Sequence, residues 1–153
     1  MAVDCLVDTN ILIRLLVPQD PLAPTAQAAV RLLKQRQDRL FVAAQNLIEF
    51  WAVATRPVSA NGLGLSTAAA EEELTRLDSL FSVLHETPGV YPLWRDLVTR
   101  VGVSGRQAHD ARLAAVMLAN DMTHVLTFNV DDFARYPGLV ILDPRVVIAS
   151  STT

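Results

Sequence analysis

The stretch CLVDTN, residues 5–10, joins a short apolar run to an acid and two further polar residues. An apolar run without polar alternation is typical of a strand that is buried on both faces of a sheet. A helical pattern over residues 10–17 follows directly. The stretch therefore predicts a buried strand that leads straight into a helix, with Asp8 at the junction.

The same alternation of strand and helix runs through the rest of the chain. Apolar runs predict five strands, at residues 3–7, 41–44, 81–84, 124–128 and 139–142. The segments between them carry helical patterns, at residues 10–17, 25–36, 45–55, 67–80, 91–101 and 106–120. Stretches that contain proline, glycine or both predict loops at 18–24 and 56–66. Strands that alternate with helices form right-handed βαβ units, so we expect an α/β fold with a mostly parallel sheet and helices on both faces.

Size and composition describe one globular domain. The chain has 153 residues, of which 51% are hydrophobic and 19% are charged, and a chain of this length buries a full core without disulfide or metal support. We expect a single domain over residues 1–145 and a C-terminal tail over residues 146–153. No apolar run approaches the roughly 18 residues that a membrane span requires, which excludes a membrane protein.

Cysteine content indicates the cellular compartment, and net charge indicates the kind of partner. Cys5 is the only cysteine, so no disulfide can form within the chain, and a reducing, cytoplasmic compartment is the simplest expectation. Asp4 stands where a signal peptide would carry a basic residue, which argues against a cleaved leader. The net charge of −3 counts mildly against a nucleic-acid partner, although carboxylates gathered around a cation also produce an acidic excess.

Asp8 occupies the edge of a parallel sheet at which binding sites form, beyond the carboxyl ends of the strands. Asp8, Thr9 and Asn10 are all good helix N-caps, and capping is the structural alternative for each of them. Three capping residues in a row exceed the need of one helix. We therefore favour a functional role for Asp8.

Two further acids lie on apolar helical faces. Glu49 stands inside LIEFWAV, residues 47–53, and Asp110 lies on the inward stripe of an alanine-rich helix. An unpaired buried charge is costly, so each carboxylate must be paired, protonated or coordinated. Ion pairs with Arg56 and Arg106, respectively, are the structural alternatives.

A fourth polar cluster follows the strand predicted at residues 124–128. Thr127 and Asn129 precede the adjacent acids Asp131 and Asp132, and a simple turn is the structural alternative. Together, the four clusters collect carboxylates at one sheet edge with no lysine nearby to neutralise them. Oxygen ligands of this kind suit Mg²⁺ or Mn²⁺, whereas one cysteine and three scattered histidines offer no zinc spacing.

These motifs resemble the PIN domain family, and within it the VapC-type toxin ribonucleases of toxin–antitoxin pairs. The resemblance covers essentially the whole chain and rests on Asp8-Thr9-Asn10, Glu49, His109-Asp110-Ala111, Thr127-x-Asn129 and Asp132-Phe133. It implies a Rossmann-like three-layer α/β/α sandwich and an endoribonuclease that depends on Mg²⁺ or Mn²⁺. It also implies a homodimer, an RNA substrate and a cognate antitoxin protein.

Carried over residue by residue, the resemblance implies that Asp8, Glu49 and Asp110 fill the first three acidic positions of the catalytic, metal-binding site. Many PIN domains carry Asp at the position of Asn129. Either Asn129 takes that place as a neutral ligand or Asp132 supplies the fourth charge. In phosphodiester hydrolysis, a metal held by Asp8 and Asp110 would activate water, and a second ion near Glu49 and Asp132 would stabilise the leaving oxygen.

Four neighbouring residues are candidates for supporting roles. The hydroxyls of Thr9 and Thr127 would orient ligands or water, and Asn10 is a candidate to assist them or to bind substrate. Arg14, one turn into the first helix, could meet an RNA phosphate or lie as a solvated surface residue.

Two other function classes compete with a nuclease. A response-regulator receiver or a haloacid-dehalogenase-type phosphatase needs a late lysine, and the only lysine, Lys34, comes early. The second alternative is a PIN fold that binds RNA or protein without catalysing cleavage. The intact Asp8, Glu49 and Asp110 argue against it, and a metal-dependent RNA cleavage assay separates the two.

Overall fold

The structure is a computed structural model that describes residues 1–151, so the last two residues of the predicted tail lie outside it. The strands are β1 (Asp4–Val7), β2 (Arg39–Ala43), β3 (Ser82–Leu84), β4 (His124–Leu126) and β5 (Val140–Leu142). The helices are α1 (Thr9–Leu16), α2 (Ala23–Gln35), α3 (Ala44–Thr55), α4 (Thr67–Leu80), α5 (Val90–Val101), α6 (Gln107–Ala119), α7 (Val130–Ala134) and α8 (Pro144–Ser150). A short 3₁₀ helix, Val58–Ala60, lies in the loop after α3.

The five strands form one parallel sheet in the order β3-β2-β1-β4-β5. Cys5 in β1 pairs with Leu40 on one side and with His124 on the other. The chain first builds outward from β1 to β3 and then returns to the opposite side of β1 with β4. The sheet therefore has a topological switch point between β1 and β4.

Alternating residues of β1 face two separate helical layers. Cys5 and Val7 pack into a core with α1, α2, α3, α4 and α8, whereas Leu6 packs into a second core with α5, α6 and α7. The predicted parallel sheet and the three-layer α/β/α sandwich are confirmed. In residues 1–151, no helix combines the length and the apolar character that a membrane crossing needs.

Some element boundaries differ from the sequence prediction. Helix α2 begins at Ala23, two residues earlier than predicted, because Pro24 fits the first turn, where its missing N–H is not needed. Strand β4 ends at Leu126, two residues earlier than predicted. Thr127 N still donates to the backbone at Leu142 O, at 3.0 Å, but the next two backbone N–H groups donate to side chains, Phe128 N to Asn10 Oδ1 at 3.4 Å and Asn129 N to Thr127 Oγ1 at 3.0 Å.

The sequence prediction missed α7 and α8, which have five and seven residues. Both are too short for helical periodicity to stand out. Helix α8 begins at the N-cap Asp143, which accepts from Arg145 N, and it covers residues 146–150 of the predicted tail. It packs against α2, and Val147 is buried there.

Gly62 allows a close backbone approach in the loop that braces the end of α3. Leu63 N donates to Val53 O at 3.0 Å, and a Cβ on Gly62 would lie 2.0 Å from the carbonyl oxygen of Arg56.

We expect Gly62→Ala to lower the free energy of unfolding by about 1–3 kcal/mol, because the Arg56 backbone must move. Gly89→Ala is the matched control, since the nearest atom to its Cβ among the described residues would be Thr87 Oγ1, at 3.7 Å. Urea unfolding measures both, and equal losses would contradict the explanation.

Candidate active site

The carboxylate of Asp8 lies at the carboxyl end of β1, beside the switch point of the sheet. Ligands of open α/β sheets bind at such points. Asp8 is the N-cap of α1, where its Oδ1 accepts a hydrogen bond from Thr9 N at 2.8 Å. The capping role is therefore present, and it engages only one of the two carboxylate oxygens.

The second oxygen of Asp8 is fixed by the residue that directly follows β4 and by a residue of α1. Thr127 Oγ1 donates to Asp8 Oδ2 at 2.8 Å, and Asn10 Nδ2 donates to the same oxygen at 3.3 Å. Asn10 Nδ2 also reaches Thr127 Oγ1 at 3.2 Å. Asp8 and Thr127 are buried, with 7% and 0% of their surface exposed. Neutral donors therefore hold the carboxylate in one orientation.

Glu49 in α3 is held by two neutral donors. Its Oε2 accepts from Thr9 Oγ1 at 2.9 Å, and its Oε1 accepts from Gln45 Nε2 at 2.7 Å. It forms no ion pair with Arg56 in the part of the chain that the structure describes. Because Thr9 follows Asp8 directly, this hydroxyl links the first two acids of the candidate site.

Gln45 and Asn46 belong to the site, although the sequence reasoning gave them no role. Asn46 is fully buried and donates from Nδ2 to Thr9 Oγ1 at 3.1 Å. Gln45 Nε2 donates to His109 O at 2.9 Å as well as to Glu49. The available signal was a pair of amide residues directly after a buried strand. Such residues are common at helix starts, so the pattern alone does not separate capping from a site.

Asp110 lies in the first turn of α6 and is partly buried. It forms no ion pair with Arg106 or with any other basic residue among residues 1–151. Burial above all, together with the negative charges of Asp132 and Glu49, raises the pKa of Asp110 to about 6, although the charges of Arg135 and His109 act in the opposite direction. Asp110 is therefore surrounded mainly by like charge.

Burial also raises the pKa of Asp8 to about 6. The hydrogen bonds from Thr127 and from the Thr9 amide favour the ionised form, but the charges of Glu49 and Asp110 oppose it. The four acids predicted from sequence are thus electrostatically coupled through Asp8 and Asp110. None of them is paired with a basic side chain in the described residues.

The candidates for the fourth acidic position, at the start of α7, differ in burial and in their electrostatic effect on the other acids. Asp132 is partly buried and its charge acts on Asp110. Asn129, the N-cap of α7, is exposed and makes no side-chain capping bond within residues 1–151, and Asp131 is also exposed. Of the three candidates, Asp132 is the one that is electrostatically coupled to the other acids.

Arg14 is engaged by its own neighbours in the structure. Its Nη1 donates to Asn10 O at 3.0 Å, and its Nε lies 3.6 Å from Asp20 Oδ1. Its guanidinium lies 5.0 Å from the centre of the Phe128 ring, and Arg145 lies 5.6 Å from the same ring. Two guanidinium groups therefore flank Phe128 directly after Thr127.

The chemistry of the donor set bears on metal binding. As the side chains stand, no three His, Cys, Asp or Glu residues within 1–151 come together closely enough to hold an ion. Yet the charges of Asp8, Glu49, Asp110 and Asp132 repel one another, and none of the four forms an ion pair within residues 1–151. A divalent cation would relieve that repulsion. The residues therefore suit a hard cation by charge and ligand type.

Comparison with known proteins identifies structures with the same fold. VapBC2 from Rickettsia felis, bound to a promoter DNA fragment, has 17% identity and a TM-score of 0.68 and covers 90% of this chain and 96% of that one. VapC20 from Mycobacterium tuberculosis, a sarcin–ricin loop cleaving toxin, has 23% identity, a TM-score of 0.65 and coverage of 89% and 96%. A toxin–antitoxin complex from Klebsiella pneumoniae has 21% identity, a TM-score of 0.62 and coverage of 92% and 97%.

At these identities the likeness to solved structures establishes the fold alone. A search of curated protein sequences finds no significant match. The profile of the PIN domain family, however, matches residues 5–139, a span that contains all four acids of the candidate site. The chain therefore belongs to the PIN domain family.

Proposed function

We propose that this PIN domain is a toxin ribonuclease of the VapC type, which hydrolyses RNA phosphodiester bonds with the help of Mg²⁺ or Mn²⁺. The observation that carries the proposal is the electrostatic coupling of Asp8, Glu49, Asp110 and Asp132 at the switch point, where none of them forms an ion pair in the described residues. The shared fold with a toxin–antitoxin complex and with a toxin that cleaves the sarcin–ricin loop supports it.

The hydrogen bonds around Asp8 and Glu49 supply pre-organisation. Thr127 and the Thr9 amide orient Asp8, while the Thr9 hydroxyl and Gln45 orient Glu49. Carboxylates fixed in this way need little rearrangement when a cation binds, which is the purpose of groups that support metal ligands.

Asp110 completes the arrangement from the other helical layer. Its carboxylate accepts no hydrogen bond in the described residues, so a ligand would not have to displace one. Asp8 and Asp110 would hold one ion, with Glu49 and Asp132 near it or near a second. A bound ion would lower the pKa of water to make a nucleophile near neutral pH and would neutralise charge on the scissile phosphate.

The proposal includes two protein partners, a cognate antitoxin and a second copy of the chain. Ile48 on α3 is 66% exposed, and Trp51 on the same helix is only partly buried. Exposed apolar groups close together commonly mark an interface. A cytoplasmic location is also part of the proposal, since Cys5 is a free, buried thiol.

Asp110→Asn removes one charge without breaking a hydrogen bond within the described residues. We expect the protein to fold and its metal-dependent RNA cleavage to fall at least about 100-fold, since even groups that support metal ligands are worth 10- to 100-fold. Asp121→Asn is the matched control, because Asp121 is exposed and its φ of 56° suits asparagine. A gel assay of RNA with Mn²⁺ measures both. Cleavage by Asp110→Asn at the unsubstituted rate would contradict the assignment, and failure to fold would assign Asp110 a structural role.

Divalent cations should stabilise the folded state by mass action. A cation that binds only the folded chain adds roughly 2.7 kcal/mol at a hundredfold excess over its Kd, which corresponds to a rise in Tm of roughly 5–10 °C for a domain of this size. We expect this rise in the unsubstituted protein and a much smaller one in Asp8→Asn/Asp110→Asn. Calorimetry with Mg²⁺, Mn²⁺ or a chelator measures it. Equal shifts in both proteins would indicate nonspecific binding.

Without metal, the raised pKa of Asp110 should make stability depend on pH. The folded protein retains a proton up to about pH 6, whereas the unfolded carboxyl loses it near its ordinary value of 3.8. Stability from this group is therefore complete below about pH 4 and is lost as the pH rises to about 6. In chelator, the Tm of Asp110→Asn should exceed that of the unsubstituted protein by an amount that grows across this window. A difference that shrinks with rising pH would be inconsistent with the raised pKa.

A further inference from the structure

A cavity of about 500 Å³ opens beside the carboxylate cluster, between the loop after β3, the start of α5 and the first turn of α6. Its walls include Glu86, Val90, Tyr91, Trp94, His109 and Arg112. Small-molecule sites in proteins range from about 300 to 1,000 Å³ and combine apolar walls with a few polar groups. The cavity has the size and the composition of a ligand site, and no role in the proposed metal chemistry uses it.

Two aromatic rings form one side of the cavity. The rings of Tyr91 and Trp94 are stacked, with centroids 6.0 Å apart and planes inclined by 25°. Trp94 Nε1 donates to Ala108 O at 2.9 Å, which fixes the indole against the start of α6. Tyr91 is 62% exposed, although its neighbour in the stack is partly buried. A fixed aromatic stack with an open outer ring is suited to receiving another flat ring.

The polar groups of the cavity are held in place by one another. Arg112 Nη1 donates to Gln45 Oε1 at 3.2 Å, and Arg112 Nη2 is hydrogen-bonded to the Glu86 carboxylate. The cavity thus offers a guanidinium group as donor and a carboxylate as acceptor, beside the exposed His109. Nucleobases carry both donors and acceptors on their edges and an aromatic face.

The cavity and the carboxylate cluster share a wall. Gln45 Nε2 donates to Glu49 Oε1 at 2.7 Å on the cluster side and to His109 O at 2.9 Å on the cavity side. His109 lines the cavity, and the next residue, Asp110, belongs to the cluster. A strand with a phosphate at the carboxylates would therefore carry a neighbouring base to the mouth of the cavity.

We propose that this cavity binds one unpaired nucleobase of the RNA strand, stacked on Tyr91 and adjacent to the phosphate that is cut. The proposal rests on the ribonuclease function proposed above and names the site that would read the substrate next to the cleavage point. Single-stranded RNA is recognised in this way, by bases stacked on aromatic or guanidinium planes and hydrogen-bonded at their edges.

The test measures RNA binding separately from cleavage. In the Asp110→Asn background, fluorescence anisotropy gives the Kd of a short labelled single-stranded RNA and of an abasic ribose-phosphate chain of equal length. Tyr91→Ala removes the outer ring, Tyr91→Phe keeps it, and Val58→Ala removes an apolar side chain of similar exposure elsewhere. Light scattering reports the mass of each variant.

We expect Tyr91→Ala to weaken RNA binding about tenfold, in the range of stacking on one aromatic ring. Tyr91→Phe and Val58→Ala should bind like the background protein, and the abasic chain should not distinguish the variants. Unchanged RNA affinity in Tyr91→Ala overturns the proposal. A change in the mass of Tyr91→Ala at unchanged RNA affinity also overturns the proposal, because it would show that a second copy of the chain covers the cavity.

Cleavage by the otherwise unsubstituted protein decides the two proposals independently. If that protein cuts RNA with Mn²⁺ but Tyr91→Ala binds RNA equally well, the base site is wrong and the nuclease stands. If it cuts no RNA while Tyr91→Ala still weakens RNA binding, the nuclease is wrong, and the cavity stands as a nucleobase site without a cleaved phosphate beside it.

Discussion

The hydrogen bond from Thr127 to Asp8 joins the ends of two neighbouring strands, and the organisation of the candidate site depends on it. The bond is 2.8 Å long and lies between buried groups. It can form because β4 returns to the free side of β1, which brings Thr127 to the switch point. Through Asn10 and Thr9, the same small network reaches the start of α1 and Glu49 on α3. Asp8 and Glu49 are thus oriented by neutral partners, and no ion pair within residues 1–151 relieves the repulsion among the four carboxylates.

Much of this arrangement could be predicted from the sequence, because the acids stand at positions where the surrounding pattern predicts apolar residues. Asp8 ends an apolar run, and Glu49 and Asp110 interrupt apolar helical faces, so each of the three is visible as a departure from an expected core position. Real proteins break such local rules mainly at functional sites. The sheet followed from the same regularities, since uninterrupted apolar runs and helical periodicity alternate along the chain.

What escaped prediction depended on tertiary context. Gln45 and Asn46 are ordinary residues for a helix start, and their roles depend on tertiary packing. Both are buried, Asn46 donates to Thr9 of α1, and Gln45 is held between Glu49 and His109 O of α6. The sequence could not decide whether Asn129 or Asp132 fills the fourth acidic position, because the choice depends on which side of a five-residue helix faces the other acids. Helices this short carry no periodic signal, and their ends are set by caps and packing.

The strand order has a consequence for how the protein folds during its synthesis. Residues 8 and 127, which meet at the switch point, are 119 positions apart in the chain. During synthesis from the N-terminus, β1 and β2 are made long before β4, so one edge of β1 lacks its neighbour until most of the chain exists. Contacts of such long sequence separation form late and slow folding. The nascent polypeptide therefore passes most of its synthesis with the carboxylates of its first half unable to meet those of its second, and any chemistry that needs all four begins only with a nearly finished chain.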